Sequence, residues 1–346
     1  MADAHTYVVT GGAGFIGANL VAELTARDAD ARLVVVDNFS SGSFANIVEA
    51  MDRRRAGPFE GEVIASDVDE CDWESIIEEL APASIFHLAA ITDTTVADER
   101  RMIEANAESF RPILWACCQS ATPLVYASSA ATYGSPAAGA DRRPFTLDDA
   151  GRPNNVYGFS KWLMECDHRS AAHDHREETG QAPWIVGLRY FNVFGPGESR
   201  KGKMASMAYQ LASQIQGGKR PRLFADGSQA RDQVHVDDVV ACTMAAAGLG
   251  QKKRPTPGVY NLGSGRSTSF ADVAAAVRRG FGLKADELAV EYFPMPPDIR
   301  AFYQDFTCAD MSQTSIGLGF IPQIDPAEGI ESYARHLATA WRTRRA

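Results

Sequence analysis

Tyr157 and Lys161 stand four residues apart in Asn155-Val156-Tyr157-Gly158-Phe159-Ser160-Lys161, and Ser129 lies upstream in Tyr126-Ala127-Ser128-Ser129-Ala130-Ala131-Thr132-Tyr133-Gly134. On a helix, positions i and i+4 share a face, so the Lys161 ammonium can lie beside the Tyr157 hydroxyl and favour its phenolate. A phenol that ordinarily titrates near ~10 then becomes a proton shuttle usable at neutral pH. Such a pair is common on helix surfaces, so its weight comes from what precedes it.

The chain opens with the apolar run Tyr7-Val8-Val9-Thr10, followed by Gly11-Gly12-Ala13-Gly14-Phe15-Ile16-Gly17 and the helical pattern Ala18-Asn19-Leu20-Val21-Ala22-Glu23-Leu24. Strand, glycine turn and helix in that order set backbone N–H groups and the positive end of a helix dipole against a pyrophosphate. Gly11 is expected to make the tight turn, Gly14 to let phosphate approach the backbone, and Gly17 to let the helix pack on the strand. A second strand, Leu33-Val34-Val35-Val36, ends in Asp37, twenty residues after Gly17, where a ribose hydroxyl is expected. A dinucleotide site follows from this register.

The elements that must hold these groups are legible in the alternation of apolar runs with longer amphipathic stretches. Val63-Ile64-Ala65-Ser66-Asp67, Ser84-Ile85-Phe86-His87, Leu124-Val125-Tyr126-Ala127-Ser128 and Trp184-Ile185-Val186-Gly187-Leu188-Arg189 read as buried strands, most of them preceded by a helical pattern. This is the rhythm of an α/β fold with a doubly wound parallel sheet of the Rossmann kind, and cofactors bind such sheets beyond the carboxyl ends of the strands. That rule gathers the glycine loop, Asp37, Asp67-Val68, His87-Leu88-Ala89-Ala90, Ser129 and Arg189-Tyr190 along one rim, with Tyr157 on a helix beside it. Residues 1–190 are expected to form the NAD(P)-binding unit. Residues 191–346 would form mainly a smaller substrate-binding lobe, interleaved with the last sheet elements and containing helices Met204 to Gly217 and Phe270 to Phe281.

Composition narrows the function classes. At 346 residues and 45% hydrophobic, the chain can bury a sizeable core. Its net charge of −10 disfavours attraction to nucleic acid phosphates. Six cysteines, at positions 71, 117, 118, 166, 242 and 308, form no CxxC pair, which argues against zinc and disulfides and for reduced thiols in a cytoplasm. The stretch Ala171 to Pro183, with His173, Asp174 and His175, reads as a solvated helix end rather than a metal site. No basic region followed by an apolar stretch opens the chain, and no run of roughly 18 apolar residues provides a membrane span.

The pattern GxxGxxG, then Asp37, Asp67, HxAA at His87 to Ala90, Ser129 and YxxxK at Tyr157 and Lys161 resembles the extended short-chain dehydrogenase/reductase family, whose members mostly modify nucleotide sugars. Arg189-Tyr190-Phe191-Asn192-Val193-Phe194-Gly195-Pro196, Arg231-Asp232-Gln233-Val234-His235-Val236-Asp237-Asp238-Val239 and Asn261-Leu262-Gly263-Ser264-Gly265 agree with it, so the likeness spans nearly the entire chain. Within the family, the segments Lys201-Gly202-Lys203-Met204-Ala205-Ser206, Pro221-Arg222-Leu223-Phe224 and Tyr303-Gln304-Asp305-Phe306-Thr307 are most similar to its ADP-glycero-manno-heptose 6-epimerase branch.

The resemblance implies a nucleotide-sugar epimerase. It places Gly11, Gly14, Phe15, Ile16, Gly17, Asp37, Asn38, Asp67, Val68, Leu88, Ala89, Ala90, Asn106, Tyr157 and Lys161 against the dinucleotide, with Lys161 orienting the nicotinamide ribose and lowering the tyrosine's pKa. It sets Ser129, Asn192, Lys201, Leu223, Phe224, Arg231 and Tyr303 against the nucleotide sugar. In the 6-epimerase branch that the segment Lys201-Gly202-Lys203-Met204-Ala205-Ser206 resembles, the lysine at the place of Lys201 is a second acid/base. Inverting a carbinol carbon means removing hydride, turning the transient ketone and returning hydride to its other face, so the oxygen meets a different proton donor after turning. Tyr157 and Lys201 would serve the two orientations. NAD is the expected cofactor, with NADP the alternative, because Asp37 has no obvious cationic partner and Ser43 stands where a lysine for the 2′-phosphate is often found. The substrate stretch His87-Leu88-Ala89-Ala90-Ile91-Thr92-Asp93-Thr94-Thr95 departs from the His-Glu-Gly-Ala usual in the 6-epimerases, which leaves the sugar open. A UDP-sugar 4-epimerase, needing Tyr157 but not Lys201, is the alternative. A 4,6-dehydratase is disfavoured because Ala130-Ala131-Thr132 lacks the Asp-Glu pair, and a nucleotide sensor has no need of a proton relay. Helices near Ile103 to Ser120 and Tyr157 to Arg176 are expected to pair between subunits of a homo-oligomer.

Overall fold

The computed structural model describes residues 5–93, 98–135, 142–284, 287–294 and 304–343. The strands, in chain order, are β1 (Thr6–Thr10), β2 (Arg32–Val36), β3 (Glu62–Ile64), β4 (Ser84–His87), β5 (Leu124–Ser129), β6 (Ile185–Tyr190), β7 (Asn192–Phe194), β8 (Arg222–Phe224), β9 (Ala230–His235), β10 (Gly258–Leu262), β11 (Ser267–Ser269) and β12 (Glu291–Phe293). The principal helices are α1 (Phe15–Arg27), α2 (Phe44–Arg54), α3 (Trp73–Leu80), α4 (Glu99–Ile103), α5 (Phe110–Ser120), α6 (Val156–Thr179), α7 (Met207–Gln216), α8 (Val236–Ala246) and α9 (Phe270–Gly280), followed by helices Ser312–Leu318 and Pro326–Thr343.

Seven strands form one parallel sheet in the order β3-β2-β1-β4-β5-β6-β10. A parallel sheet covered on both faces needs strands apolar on both faces, which is why β1 and the last four residues of β2 are buried throughout. One core packs α1, α2 and α8 on one face, around Leu20, Val35, Ile47 and Val239. The other packs α3, α5 and α6 on the opposite face, around Val34, Ile77, Ile113 and Met164. The strand order reverses direction between β1 and β4, and the crevice beyond their carboxyl ends is where such sheets hold ligands.

After residue 190 the chain returns to the main sheet as β10 and to its cover as α8, so sheet and lobe interleave along the sequence. The lobe has its own core, where α7, α9 and the helix Pro326–Thr343 pack Leu211, Val273, Ile330 and Tyr333 against Phe194. Two small sheets, β11-β9-β7 and β12-β8, complete it. The continuous helix expected from Ile103 to Ser120 is instead a π turn, Glu104–Glu108, leading into α5. No described helix is long and apolar enough to cross a membrane.

Candidate active site

β1 delivers the chain into Gly11, whose φ of 65° and closeness to the β4 loop both demand glycine: a Cβ there would stand 2.7 Å from the Ala89 nitrogen. Gly17 is the second steric requirement, since its Cβ would fall 2.1 Å from the Gly11 carbonyl oxygen, closer than any helix could pack on its strand. α1 begins at Phe15 without a side-chain cap, so its first amides are left to a ligand from the cleft. Asp37 ends β2 and is oriented by two backbone donors, Ala13 N–H to Oδ2 at 2.9 Å and Phe39 N–H to Oδ1 at 2.8 Å. Among the described residues no Lys or Arg pairs with it. Asn38 donates to Asp67 Oδ1 at 2.5 Å, joining the ends of β2 and β3. An uncapped helix start, a glycine cradle and an oriented, unpaired carboxylate fit a dinucleotide with a free ribose hydroxyl.

Ser129 is the last residue of β5 and Tyr157 lies in the first turn of α6. Asn155 caps α6 by accepting from Gly158 N–H at 2.8 Å. Gly158 allows the helix to sit directly on the turn after Ser129, because a Cβ there would meet the Ala131 oxygen at 2.5 Å. This approach hydrogen-bonds Ser129 to the Tyr157 phenol. Ser129 Oγ already accepts from Ala131 N–H at 3.1 Å, so its own proton is free for the phenol oxygen.

The expectation that the phenol's pKa is lowered needs correction. Burial raises Tyr157 above its ordinary value, and the Ser129 bond opposes that rise. Lys161 stands one turn on, as the spacing requires, but it is 2% exposed and its ammonium donates to Met164 Sδ at 3.6 Å. Burial pushes that ammonium down to about 7, so it is only partly protonated at neutral pH and provides less charge than a surface lysine.

Around these groups lie supports that the sequence did not reveal. Asn106, expected at the cofactor, lies on the π turn and ties the loop after β4 to α6: its Oδ1 accepts from Ile91 N–H at 2.8 Å and its amide donates to Ile91 O and Ser160 Oγ, each at 3.0 Å. It does not line the cleft. Thr10 Oγ1 accepts from Leu88 and Ala89 N–H, both at 3.2 Å, which leaves its proton for His87 Nδ1 at 2.9 Å. Burial, with the nearby Lys161 charge, pushes His87 down to about 3, so the neutral ring keeps its proton on Nε2. Arg189, placed by its strand on the rim, turns inward: it grips Glu165 of α6 through Nε at 2.9 Å and through its second terminal nitrogen at 2.7 Å, while Ser128 donates to the same carboxylate at 2.6 Å. This buried pair bolts α6 to β5 and β6 beneath Ser129 and Tyr157.

One cleft of about 870 Å³ is lined by Gly11, Gly14, Phe15, Ile16, Gly17, Asp37, Asn38, Asp67, Val68, Leu88, Ala89, Ala90, Ser129, Tyr157, Lys161, Asn192, Lys201 and Arg231. Lys201 enters it from the turn Glu198–Met204 and holds its ammonium 5.4 Å from the centre of the Phe15 ring. Lys203 pairs with Asp93 at 3.2 Å, a contact between the Lys201 segment and the loop after β4. Asn192 is held by the Asp232 carbonyl and Thr307 Oγ1, each at 3.3 Å, and Arg231 donates to Gln304 Oε1 at 3.4 Å.

Two substrate residues implied by the resemblance are displaced from the cleft. Leu223 is 2% exposed in the lobe's core and Phe224 packs on Phe293 at 4.7 Å, where β8 pairs with β12, and neither lines the cleft. Tyr303 lies outside the described residues. Among the described residues no group of three or more His, Cys, Asp or Glu could hold a metal ion.

Residues 7–263 match the NAD dependent epimerase/dehydratase family. Among solved structures, ADP-L-glycero-D-manno-heptose-6-epimerase of Helicobacter pylori is 31% identical, with 97% of this chain and 96% of that chain covered and a TM-score of 0.80. UDP-N-acetylglucosamine 4-epimerase of Methanobrevibacter ruminantium, solved with UDP-N-acetylmuramic acid, is 24% identical over 99% of each chain, with a TM-score of 0.80. MoeE5, solved with UDP-glucuronic acid and NAD, is 26% identical over 99% of this chain and 100% of that chain, with a TM-score of 0.72.

Proposed function

The chain belongs to the NAD dependent epimerase/dehydratase family, and from that premise we propose that it is a nucleotide-sugar epimerase of the heptose 6-epimerase kind, using NAD. The reading is carried by one observation: Tyr157 and Lys201, on different elements, line a single cleft with the glycine loop. The glycine loop Gly11–Gly17 and Asp37 would hold NAD, which when bound would supply the removal of hydride from the carbinol carbon and its return. Tyr157 accepts the hydroxyl proton as the ketone forms, while Ser129 turns its one hydroxyl proton from the phenol to the substrate oxygen. Because hydride returns from the same side, inversion requires the carbonyl to turn, and Lys201 then supplies the proton. Lys161 holds the ribose, and in the structure the Ser129 bond opposes the effect of burial on the phenol.

Arg231 is suited to the diphosphate, since its planar fork matches phosphate oxygens, and Asn192 to the sugar or phosphate. Asp37, oriented and without a cationic partner, favours a ribose hydroxyl over a 2′-phosphate. Ala130-Ala131-Thr132 offers no acid for loss of water, which speaks against dehydration. Trp115 of α5 and Phe159 of α6, 43% and 46% exposed, support a homo-oligomer paired through these helices. The six unpaired cysteines suit a cytoplasmic setting.

The test is incubation of the purified protein with ADP-heptose and UDP-glucose separately, following C6 and C4 stereochemistry by NMR. Inversion at C6 of the heptose is expected. Inversion only at C4 of the UDP-sugar would make it a 4-epimerase.

A further inference from the structure

Lys201 rides on a segment closed by a buried carboxylate that the proposed chemistry has not used. Glu198 is 0% exposed. Its Oε1 accepts from Gly195 N–H at 3.2 Å and from the Ser206 hydroxyl at 2.8 Å, and its Oε2 accepts from Ser206 N–H at 2.5 Å. Tyr333, on the helix Pro326–Thr343, hydrogen-bonds the same carboxylate. One acceptor-only group therefore meets donors from both ends of the 195–206 segment and from the lobe behind it. The segment is also fixed to the cofactor side. Asn19 of α1 donates to Pro196 O at 3.0 Å, and Arg200 reaches α2, donating to Asn46 Oδ1 at 2.6 Å and to both Glu49 oxygens at 2.9 and 3.2 Å.

A buried carboxylate is costly unless it is hydrogen-bonded and its charge is matched. Of the cations of its own segment, Arg200 pairs with Glu49 and Lys203 with Asp93, while the Lys201 ammonium feels the Glu198 charge at longer range than an ion pair. The other group packed on Lys201 is the Phe15 ring of α1. Behind Glu198 stands Tyr333, with Arg53 of α2 beyond it. Burial lowers the Lys201 pKa and Glu198 raises it.

We propose that Glu198 is a positioning residue for Lys201: it closes the segment through both ends and sets its negative charge against the Lys201 ammonium, fixing that group in the cleft to serve one of the two carbonyl orientations. This rests on the two-base reading above. Because the two epimers of one substrate present their hydroxyls to different bases, Glu198 should matter for the oxidation of only one of them.

The experiment measures, in the cofactor-loaded enzyme, single-turnover reduction of the bound nicotinamide by each C6 epimer of ADP-heptose across pH, for wild type, Glu198→Gln and Lys201→Met. Amide hydrogen exchange at Gly195 and Ser206 is followed alongside. Glu198→Gln is expected to slow the same epimer that Lys201→Met slows, by about 10- to 100-fold, with the other epimer changed less than about twofold. The pH midpoint of the slowed step should move to lower pH, because the charge that raises the Lys201 pKa is gone. Exchange at Ser206 should accelerate. Ser206→Ala, which removes only the 2.8 Å hydroxyl bond, should give the same epimer selectivity at smaller amplitude and stands in if the glutamine variant does not fold. Equal slowing of both epimers, an unmoved midpoint or unchanged exchange would overturn the proposal. If Lys201→Met is selective and Glu198→Gln is not, Glu198 alone loses its role; if Lys201→Met is itself unselective, the two-base reading fails and takes the proposal with it.

Discussion

Tyr157→Phe is expected to lower the rate of inversion by about 100- to 10,000-fold while the cofactor stays bound. The substitution deletes one oxygen and keeps the ring, so α6 still seats on Ala131 through Gly158 and still presents Lys161. The glycine loop, the uncapped start of α1 and Asp37 are untouched, which is why the dinucleotide should remain. What disappears is the atom that receives the substrate proton and the acceptor for the Ser129 hydroxyl. Burial holds the wild-type phenol above its ordinary pKa, so the rate should climb with pH until the phenolate is formed, and that limb should vanish in the variant. Product formation by NMR and nicotinamide released on denaturation check the two halves. Wild-type turnover would remove Tyr157 from the mechanism.

Lys201→Met should lower inversion at C6 of ADP-heptose by about 100-fold or more. Methionine keeps an unbranched side chain of similar length, but the ammonium's contact with the Phe15 ring and its charge near the buried Glu198 are both lost, so the variant should also be less stable than the wild type. The variant separates the two epimerase readings. A 4-epimerase, in which a single tyrosine serves a sugar that swings over, should keep its rate on UDP-glucose. Parallel measurements of initial rate on both substrates, with thermal unfolding of each protein, decide between them; an unchanged rate on ADP-heptose would make Lys201 a bystander.

The parts of the site legible in the sequence are those whose requirement is local. Gly11 and Gly17 announce themselves because a turn and a helix-on-strand approach exclude any Cβ, and Asp37 because a strand of fixed length carries it to the ribose position. Tyr157 and Lys161 follow from helical spacing, and the α/β order from runs of buried Val and Ile. Illegible were features set by partners distant in the chain. Nothing near Leu223 indicates that β12 will pair with its strand and bury it. Nothing near Arg189 indicates that Glu165 will turn it inward, or near Glu198 that Gly195, Ser206 and Tyr333 will converge on one carboxylate. The direction of the Tyr157 pKa is illegible for the same reason: i, i+4 spacing fixes which face Lys161 shares, while the burial that raises the phenol and lowers the ammonium depends on the packing of α6. The π turn that aims Asn106 at Ile91 likewise has no periodic signature.

The central claim is that the hydrogen removed from the carbinol carbon is the one returned to it, within a site that keeps both proton carriers in one cleft. ADP-heptose carrying deuterium on C6, turned over in ordinary water and examined by NMR and mass spectrometry, tests it directly. The account predicts inverted product with the deuterium still on C6, whereas loss of the label to solvent would show that the carbon is deprotonated instead and would contradict it.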